Sequence, residues 1–160
     1  CEKTSMSESI ESLRKIFNEH PAGRAATNPL RRGTQVGLSI HGDEQPYHFE
    51  RTADGATIVA GAGTKTDFDL ILGAKAVEAI CETQGESVGD FGVSFLKSLL
   101  READDERVQV KLHAGLIALT RNGYLKVLAM GGPKVLGFLS KEGYIGPRGI
   151  AKAIRRLRSN

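Results

Sequence analysis

Residues 66–82, TDFDLILGAKAVEAICE, contain the change of hydrophobic period that decides the fold. In the first half of this stretch acidic and apolar residues alternate, with Phe68 and Leu70 on the same side, as in a β-strand with one covered face. In the second half Val77 and Ile80 recur at helical spacing. The stretch therefore predicts a strand that leads directly into a short helix.

Three earlier segments alternate in the same way, and turn residues separate them. Residues 35–40 and 47–51 carry apolar side chains at every second position, and the turn Asp54-Gly55 precedes a third strand at 57–59. Four strands in hairpin order predict an antiparallel sheet. Because the alternation is apolar on one side only, we expect one face of this sheet to be covered.

The residues that follow supply the cover and a fifth strand. Residues 88–103 have the clearest amphipathic helical pattern in the chain, and Ser87 with Asp90 fits a capping motif at its start. Residues 107–113, RVQVKLH, alternate again and predict a strand. The predicted fold class is α+β: a five-stranded, mainly antiparallel sheet with helices packed on one face and extra C-terminal helices.

The remaining segments are interpreted from their periodicity and their breakers. Residues 6–20 indicate a surface helix, and residues 21–33, with two prolines and two glycines, a linker or an extended crossover. Residues 115–130 fit either a helix or a hairpin, and the helix is favoured because Leu, Ala, Lys and Met form helices better than strands. Further helices are predicted at 133–141 and 147–158.

These elements predict one compact domain with three parts. Residues 1–32 would be an N-terminal helix and linker, residues 33–130 the main domain, and residues 131–160 a C-terminal helical extension. A chain of 160 residues can bury roughly two thirds of its unfolded surface, which suits one domain. Met6 resembles a natural start, so Cys1 is interpreted as a cloning remnant, with a lipoprotein cysteine as the alternative.

Composition argues against several classes of function. The net charge is only +3 and aromatic residues make up 6% of the chain, which argues against a nucleic-acid partner. The cysteines form no disulfide framework, and no Cys/His spacing resembles a zinc site. No apolar run approaches the roughly 20 residues of a membrane span, and no secretory signal is visible. We expect a cytoplasmic protein without a cofactor.

The motifs that could carry catalysis fail. Residues 61–66, GAGTKT, lack the spacing of a phosphate-binding loop and indicate a glycine-relaxed bend. Cys81 falls in a predicted helix and the four histidines are dispersed, which favours a core cysteine over a nucleophile. Asp67 and Asp69 share a strand face, where a carboxylate pair is usually solvated. His113 either donates to a polar headgroup or faces water. We therefore expect no enzyme.

The C-terminal segment has the pattern of a basic amphipathic helix. Its cations have no acidic neighbour after Glu142, and Ile150, Ile154 and Leu157 supply an apolar stripe. Such a helix suits an anionic membrane surface, whereas a docked terminal helix whose cations complement its own dipole is the alternative. The candidate membrane or anion contacts are Arg148, Lys152, Arg155 and Arg156.

Two segments resemble the sterol carrier protein type-2 family. They are DFDLIL at 67–72, followed by a short helix, and VQVKLHAG at 108–115, followed by an apolar helix. The resemblance covers roughly residues 33–130, as a sterol-carrier-like domain. It implies a five-stranded sheet with helices on one face, and between them an apolar tunnel for sterols, fatty acyl chains or other lipids. The chain departs from the family in its longer helix at 88–103 and its extension at 131–160.

The leading hypothesis is non-enzymatic binding or transfer of an apolar ligand in that tunnel. The alternative is a protein–protein interaction or dimerisation module with a filled core and no ligand, for example a homodimer. The candidate lining consists of apolar residues shared between the covered sheet face and the helices: Phe91, Phe95, Leu99, Val110, Leu112, Leu116, Tyr124 and Leu128. For each of them ordinary core is the alternative.

Overall fold

A five-stranded sheet forms the centre of the fold in the computed structural model, which describes residues 6–82, 87–141 and 148. Its strands are β1 (Gln35–Ile40), β2 (Tyr47–Arg51), β3 (Ala56–Ala60), β4 (Thr66–Leu72) and β5 (Val108–Leu112). They lie in the order β3-β2-β1-β4-β5. Three strand pairs are antiparallel and β1–β4 is parallel. The predicted α+β class with a mainly antiparallel sheet is therefore confirmed.

The parallel pair β1–β4 corrects the prediction of four strands in hairpin order. After β3, at one edge, residues 61–65 carry the chain back to the far side of β1. This connection crosses the open face of the sheet, where Gln35 Oε1 accepts hydrogen bonds from the N–H groups of Thr64 (3.0 Å) and Lys65 (3.2 Å). Alternation within a strand defines its two faces but not its neighbours, so the pattern could not predict this step.

The described part of the chain contains seven helices. They are α1 (Met6–Asn18), α2 (Pro21–Thr27), α3 (Ala74–Glu82), α4 (Val88–Leu99), α5 (Leu116–Arg121), α6 (Tyr124–Met130) and α7 (Gly132–Lys141). The helices predicted at 6–20 and 133–141 are present, and so is the short helix predicted in the second half of 66–82. The helix predicted at 88–103 ends at Leu99, before the charged run at 101–106.

The stretch 21–33 is not the predicted linker, because its first half forms α2. Pro21 lies in the first turn, where its missing N–H would have no partner in any case. His20 Nδ1 accepts a hydrogen bond from the N–H two residues further on (3.2 Å). Gly23 does not break this helix either. It lies against the backbone of Ile16, where a Cβ would be only 1.9 Å from the carbonyl oxygen.

The helical interpretation of 115–130 is correct, with a turn in the middle. α5 and α6 meet at Gly123, whose φ of +96° is one that glycine adopts without strain. A Cβ at this position would lie 2.1 Å from the carbonyl oxygen of Pro29. The N–H of Arg31 also donates to the carbonyl of Asn122 (3.0 Å). The α5–α6 turn is thus locked against the loop that follows α2.

The core lies between the apolar face of the sheet and the helices. Val36 and Phe49 from the sheet are 6% and 4% exposed, and they share one cluster with Ile10 of α1 and Val77 of α3. The rings of Phe17 and Phe49 meet edge to face, with centroids 5.1 Å apart. Burial of each large apolar side chain contributes roughly 1.5–3 kcal/mol, so this cluster holds the helices on one side of the sheet.

Helix α4 is fixed at its start by the predicted capping box. Ser87 Oγ accepts a hydrogen bond from the N–H of Asp90 (3.4 Å), and the Asp90 carboxylate accepts from the N–H of Ser87 (3.1 Å). Lys134 Nζ of α7 lies 2.6 Å from the same carboxylate. The lysine, followed by Ser87, lowers the pKa of Asp90 from 3.8 to about 2.

Of the helix predicted at 147–158 the structure describes Arg148, which is helical and exposed. Lys152, Arg155 and Arg156 lie outside the described residues, as does Cys1. The membrane or anion contact assigned to these cations stays a prediction. The division of the chain at residues 32 and 130 also stays a prediction.

Asp90→Asn should make the protein less sensitive to acid. The folded pKa of Asp90 is depressed, so its carboxylate stabilises the fold above about pH 4, and this contribution is lost as the pH falls toward 2. Unfolding midpoints measured across this range should differ most between wild type and variant near neutral pH and converge in acid. The exposed Glu44→Gln is the control. A difference that does not depend on pH would contradict the assignment.

Gly123→Ala should destabilise the protein by about 2 kcal/mol or more, because the residue needs a positive φ and its Cβ would clash with Pro29. Gly137→Ala is the matched control. Gly137 is exposed within α7, and a Cβ there meets nothing within 4 Å. Its replacement should stabilise the helix by roughly 0.5–1 kcal/mol. Chemical denaturation measures both, and equal effects would refute the locked turn.

Candidate functional site

A strip of half-buried apolar side chains lies between the sheet and the helices on the β4–β5 side. We call the following six side chains the apolar strip: Phe68, Leu70, Val110, Phe95, Leu99 and Tyr124. Leu70 and Val110 are direct neighbours across β4 and β5. The rings of Phe68 and Tyr124 meet edge to face, with centroids 5.1 Å apart. The strip packs against the buried core but is itself only partly covered.

Four of the eight predicted lining residues belong to this strip, namely Phe95, Leu99, Val110 and Tyr124. Leu112 is closer to ordinary core, with 8% of its surface exposed. The other three are Phe91 on α4, Leu116 on α5 and Leu128 on α6, and their side chains lie outside what the structure describes. The assignment of all eight to a ligand cavity stays a prediction.

The predicted lining omits Phe68 and Leu70. Both stand in the alternating stretch 66–72, and their cross-strand partners on β5 are Leu112 and Val110. The sequence contains a signal for them, because they share the apolar side of their strand. The missing information was the pairing of β4 with β5, which sets Leu70 directly beside the predicted lining residue Val110.

β4 carries a bulge next to the apolar strip. Two steps along β1, from Gln35 to Gly37, face three steps along β4, from Thr66 to Asp69. The extra residue interrupts the strict alternation of faces and redirects the side chain of Asp67. Alternation alone predicts that Asp67 and Asp69 share a face of the sheet. Because of the bulge, they lie on different faces.

Asp67 points toward the helices. Its carboxylate accepts hydrogen bonds from the side-chain amide of Asn122 (3.0 and 3.1 Å) and from the hydroxyl of Tyr124 (2.9 Å). Its backbone carbonyl accepts from the N–H groups of His113 (3.0 Å) and Ala114 (2.8 Å). Asp67 is thus not a solvated carboxylate. It connects β4 to the end of β5 and to the α5–α6 turn.

Tyr124 joins this connection to the apolar strip. Its ring contacts Phe68, while its hydroxyl donates to Asp67. Burial raises the pKa of the Tyr124 phenol far above its ordinary value of 10.0, and the charge of Asp67 adds to this shift. The hydroxyl therefore remains a neutral donor throughout the physiological pH range.

His113 pairs with Asp69 on the other side of the bulge. Its Nε2 lies 2.7 Å from one Asp69 carboxylate oxygen, and Thr66 Oγ1 donates to the other oxygen (2.9 Å). The side chains of His113 and Asp69 are 39% and 40% exposed. The imidazole is therefore held by a carboxylate. Of its two predicted roles, the one in which it simply faces water does not fit this geometry.

A cleft of about 580 Å³ opens at this end of the sheet. Its walls are the loop after α2, the start of β4 and the last turn of α5. We call it the basic cleft, because it is lined by four cationic side chains: Arg31, Arg32, Lys65 and Arg121. The sequence patterns missed it, since two of these cations fell in the predicted linker and one in the rejected phosphate loop.

A second cleft of about 330 Å³ has the charged side chains of Lys75, Lys97, Arg101 and Glu106 in its lining. Of the predicted lining residues whose side chains the structure describes, none borders either cleft. Lys75 at the edge of the second cleft is paired with Asp105 (3.0 Å). This cleft therefore offers fewer unpaired charges than the first.

Cys81 does not have the environment of a nucleophile. Burial, ahead of the charges of Glu78 and Glu82, raises the pKa of its thiol, so the reactive thiolate is disfavoured. Within residues 6–82 and 87–141, no group of three or more His, Cys, Asp or Glu side chains could hold a metal ion. In the same part of the chain no helix combines the length and apolar character of a membrane span.

Tyr124→Phe should cost about 1 kcal/mol of unfolding free energy, because Asp67 loses a hydrogen bond. In the wild type this hydrogen bond stabilises the fold fully below about pH 10, the ordinary pKa of a tyrosine. Its contribution is lost as the pH rises further, because the pKa of Tyr124 is higher in the folded protein than in the unfolded one. Alkaline absorbance titration should show one phenol that ionises only on unfolding, and the variant should lack it. Tyr47→Phe is the control. Equal stability losses in both variants would contradict a stabilising hydrogen bond between Tyr124 and Asp67.

No family model matches this chain, and no curated protein does. Among solved structures, a protein described as UbiJ-SCP2, a ubiquinone synthesis protein, matches 78% of this chain and 93% of its own, with 14% identity and a TM-score of 0.45. A conserved hypothetical protein from Thermus thermophilus, suggested to be a sterol carrier protein, matches 91% and 92%, with 17% identity and a TM-score of 0.37. The chain is structurally similar to SCP2-like domains.

Proposed function

We propose that this protein binds an apolar ligand, such as a sterol, a fatty acyl chain or another lipid, between its sheet and its helices. It would act as a carrier and would catalyse no reaction. The observation that carries this proposal is the uneven burial of the covered face of the sheet, which leaves the apolar strip partly exposed.

Burial on this face is nearly complete except along the apolar strip. On β1, β2 and β3 the inward side chains of Val36, Phe49 and Ile58 are only 4–6% exposed. On β4 and β5 the inward side chains of Leu72, Val108 and Leu112 are also buried, at 2–8% exposed, but Leu70 and Val110 between them remain half-buried. The incomplete cover is therefore local to the apolar strip, and an apolar ligand would complete it there.

The chemistry of the apolar strip suits such a ligand. Covering apolar surface contributes about 25 cal/mol per Å², against which the ligand loses its own freedom of motion. The one polar atom that the strip contributes, the hydroxyl of Tyr124, already donates to Asp67 (2.9 Å). A ligand in contact with this ring would therefore leave no buried polar group without a partner.

The described side chains favour binding over catalysis. Burial keeps the Cys81 thiol protonated, and the Asp67 carboxylate is occupied by two hydrogen-bond donors from α6 and the α5–α6 turn. His113 is oriented by Asp69, but among the described residues no serine hydroxyl or cysteine thiol forms a hydrogen bond with its ring.

An interaction or dimerisation module is the second candidate, and two exposed side chains favour it. Ile117 on α5 is 83% exposed and Met130 on α6 is 43% exposed. A contiguous apolar patch on a surface often marks a contact with another protein or a membrane, and these two side chains would contribute to one. In this case a protein surface, instead of a ligand, would close the apolar strip.

Native mass spectrometry of freshly purified protein, followed by lipid extraction, is the first test. We expect a stoichiometric apolar adduct, which would also identify the ligand class. A clean apo mass together with no binding of a fluorescent fatty acid or sterol would overturn the proposal in favour of the interaction module. Sedimentation of the same sample would then show whether a second copy covers the strip.

Two matched valine substitutions locate the binding site. Val110→Phe fills the strip and should weaken binding of the fluorescent probe about tenfold or more, equivalent to about 1.4 kcal/mol. Val59→Phe places the same extra volume on the open face, where Val59 is 44% exposed, and should leave binding unchanged. Thermal unfolding confirms that both variants fold. Equal affinities would place the ligand elsewhere.

A further inference from the structure

The basic cleft gathers positive charge that the fold does not use. Arg31, Arg32, Lys65 and Arg121 are all exposed, and none has an ion pair with the residues that the structure describes. Several other cations do have partners: Arg14 pairs with Glu11, Arg107 with Asp104, and Lys134 with Asp90. Four like charges around one concavity repel each other, and a bound anion would relieve this repulsion.

The backbone that carries these cations is fixed from several directions. The N–H of Arg31 donates to the carbonyl of Asn122 (3.0 Å), and the N–H of Gly33 donates to the carbonyl of Arg51 (2.9 Å). The N–H of Lys65 donates to the side chain of Gln35 (3.2 Å). The backbone of the cleft is therefore preformed, so the binding of an anion would cost little free energy for ordering it.

Asp67 is the one carboxylate among the described residues of the lining, and it does not cancel this charge. Asp67 accepts its hydrogen bonds from Asn122 and Tyr124, and no cationic side chain of the cleft pairs with it in the structure. His113 is likewise occupied by Asp69 (2.7 Å). The four cations thus outnumber the carboxylate at the one place where they converge.

From these observations we infer that the basic cleft binds a phosphate group. Three of its cations are arginines, whose planar guanidinium groups donate two parallel hydrogen bonds to phosphate oxygens. A volume of about 580 Å³ is larger than a bare phosphate ion needs, so the group would belong to an organic phosphate. Such a phosphate is either a free small molecule or the headgroup of a phospholipid. The inference does not depend on the apolar ligand proposed above.

Calorimetric titration with inorganic diphosphate tests the cleft directly. We expect saturable binding that weakens with salt, and a loss of about tenfold or more in Arg31→Gln/Arg121→Gln, since charge-assisted hydrogen bonds are removed. Lys15→Gln/Lys141→Gln removes the same charge from exposed helical sites outside the cleft and should leave the affinity nearly unchanged. No binding, or the same loss in both double variants, would overturn the inference.

Vesicles separate the two sources of phosphate. Binding to phosphatidylcholine vesicles that contain phosphatidic acid, but not to pure phosphatidylcholine, would assign a lipid headgroup, provided that Arg31→Gln/Arg121→Gln abolishes it. Ile117 is 83% exposed one turn before Arg121 on α5, so Ile117→Ser should also weaken this binding. Diphosphate binding without vesicle binding would assign a free organic phosphate.

The apolar ligand and the phosphate site are tested separately. The fluorescent fatty acid should bind Arg31→Gln/Arg121→Gln as it binds the wild type, and diphosphate should bind Val110→Phe as it binds the wild type. A failure of the first probe alone would refute the carrier function and leave the phosphate site intact. A failure of diphosphate alone would do the reverse.

Discussion

Burial of one face of the sheet is the interaction on which the rest of the structure depends. Inward side chains of the central strand β1, such as Leu38 and Ile40, are 5% and 2% exposed. Each contributes roughly 1.5–3 kcal/mol, which is a large share of a marginal stability. This burial places α1 and α3 on one side and leaves the opposite face open for the connection from β3 to β4. Cover is nearly complete over β1, whereas Leu70 and Val110 on β4 and β5 stay half-buried.

The bulge in β4 decides what lies at the end of the covered face. It turns Asp67 away from the open face, toward Asn122 and Tyr124. One carboxylate thereby fixes the α5–α6 turn, orients an aromatic ring in the apolar strip and borders the basic cleft. The two candidate sites are neighbours because Phe68 in the strip and Asp67 in the cleft follow each other in the chain. In a regular strand, successive residues point to opposite faces of the sheet. The extra residue in β4 interrupts this alternation, which is why Asp67 can turn toward the helices.

The distribution of charge separates structural cations from available ones. Arg51 donates to backbone carbonyls of Thr27 and Gly55, and Lys134 holds α7 to the start of α4. These cations complete the fold. The cations of the basic cleft instead stand on backbone that is already held by other bonds, so their side chains are not needed for its shape. The mild net charge of +3 does not reveal that cations are concentrated in the basic cleft, since the other charges of the chain are spread or paired.

By itself the sequence determined the elements and their apolar faces. Alternation predicted all five strands, and helical spacing predicted α1, α3, α4 and α7, because these periods follow from local backbone geometry. The capping box of α4 was readable because Ser87 and Asp90 are three residues apart. The helix α2 was missed because Pro21 and Gly23 are breakers in most contexts.

Only the tertiary structure decided how these elements meet. It placed β4 beside β1 in parallel, introduced the bulge at Asp67, and brought Arg31, Lys65 and Arg121 to one cleft. These residues are far apart in the chain. Their proximity results from strand order and helix docking, which minimise exposed apolar surface over the whole molecule and leave no local pattern in the sequence.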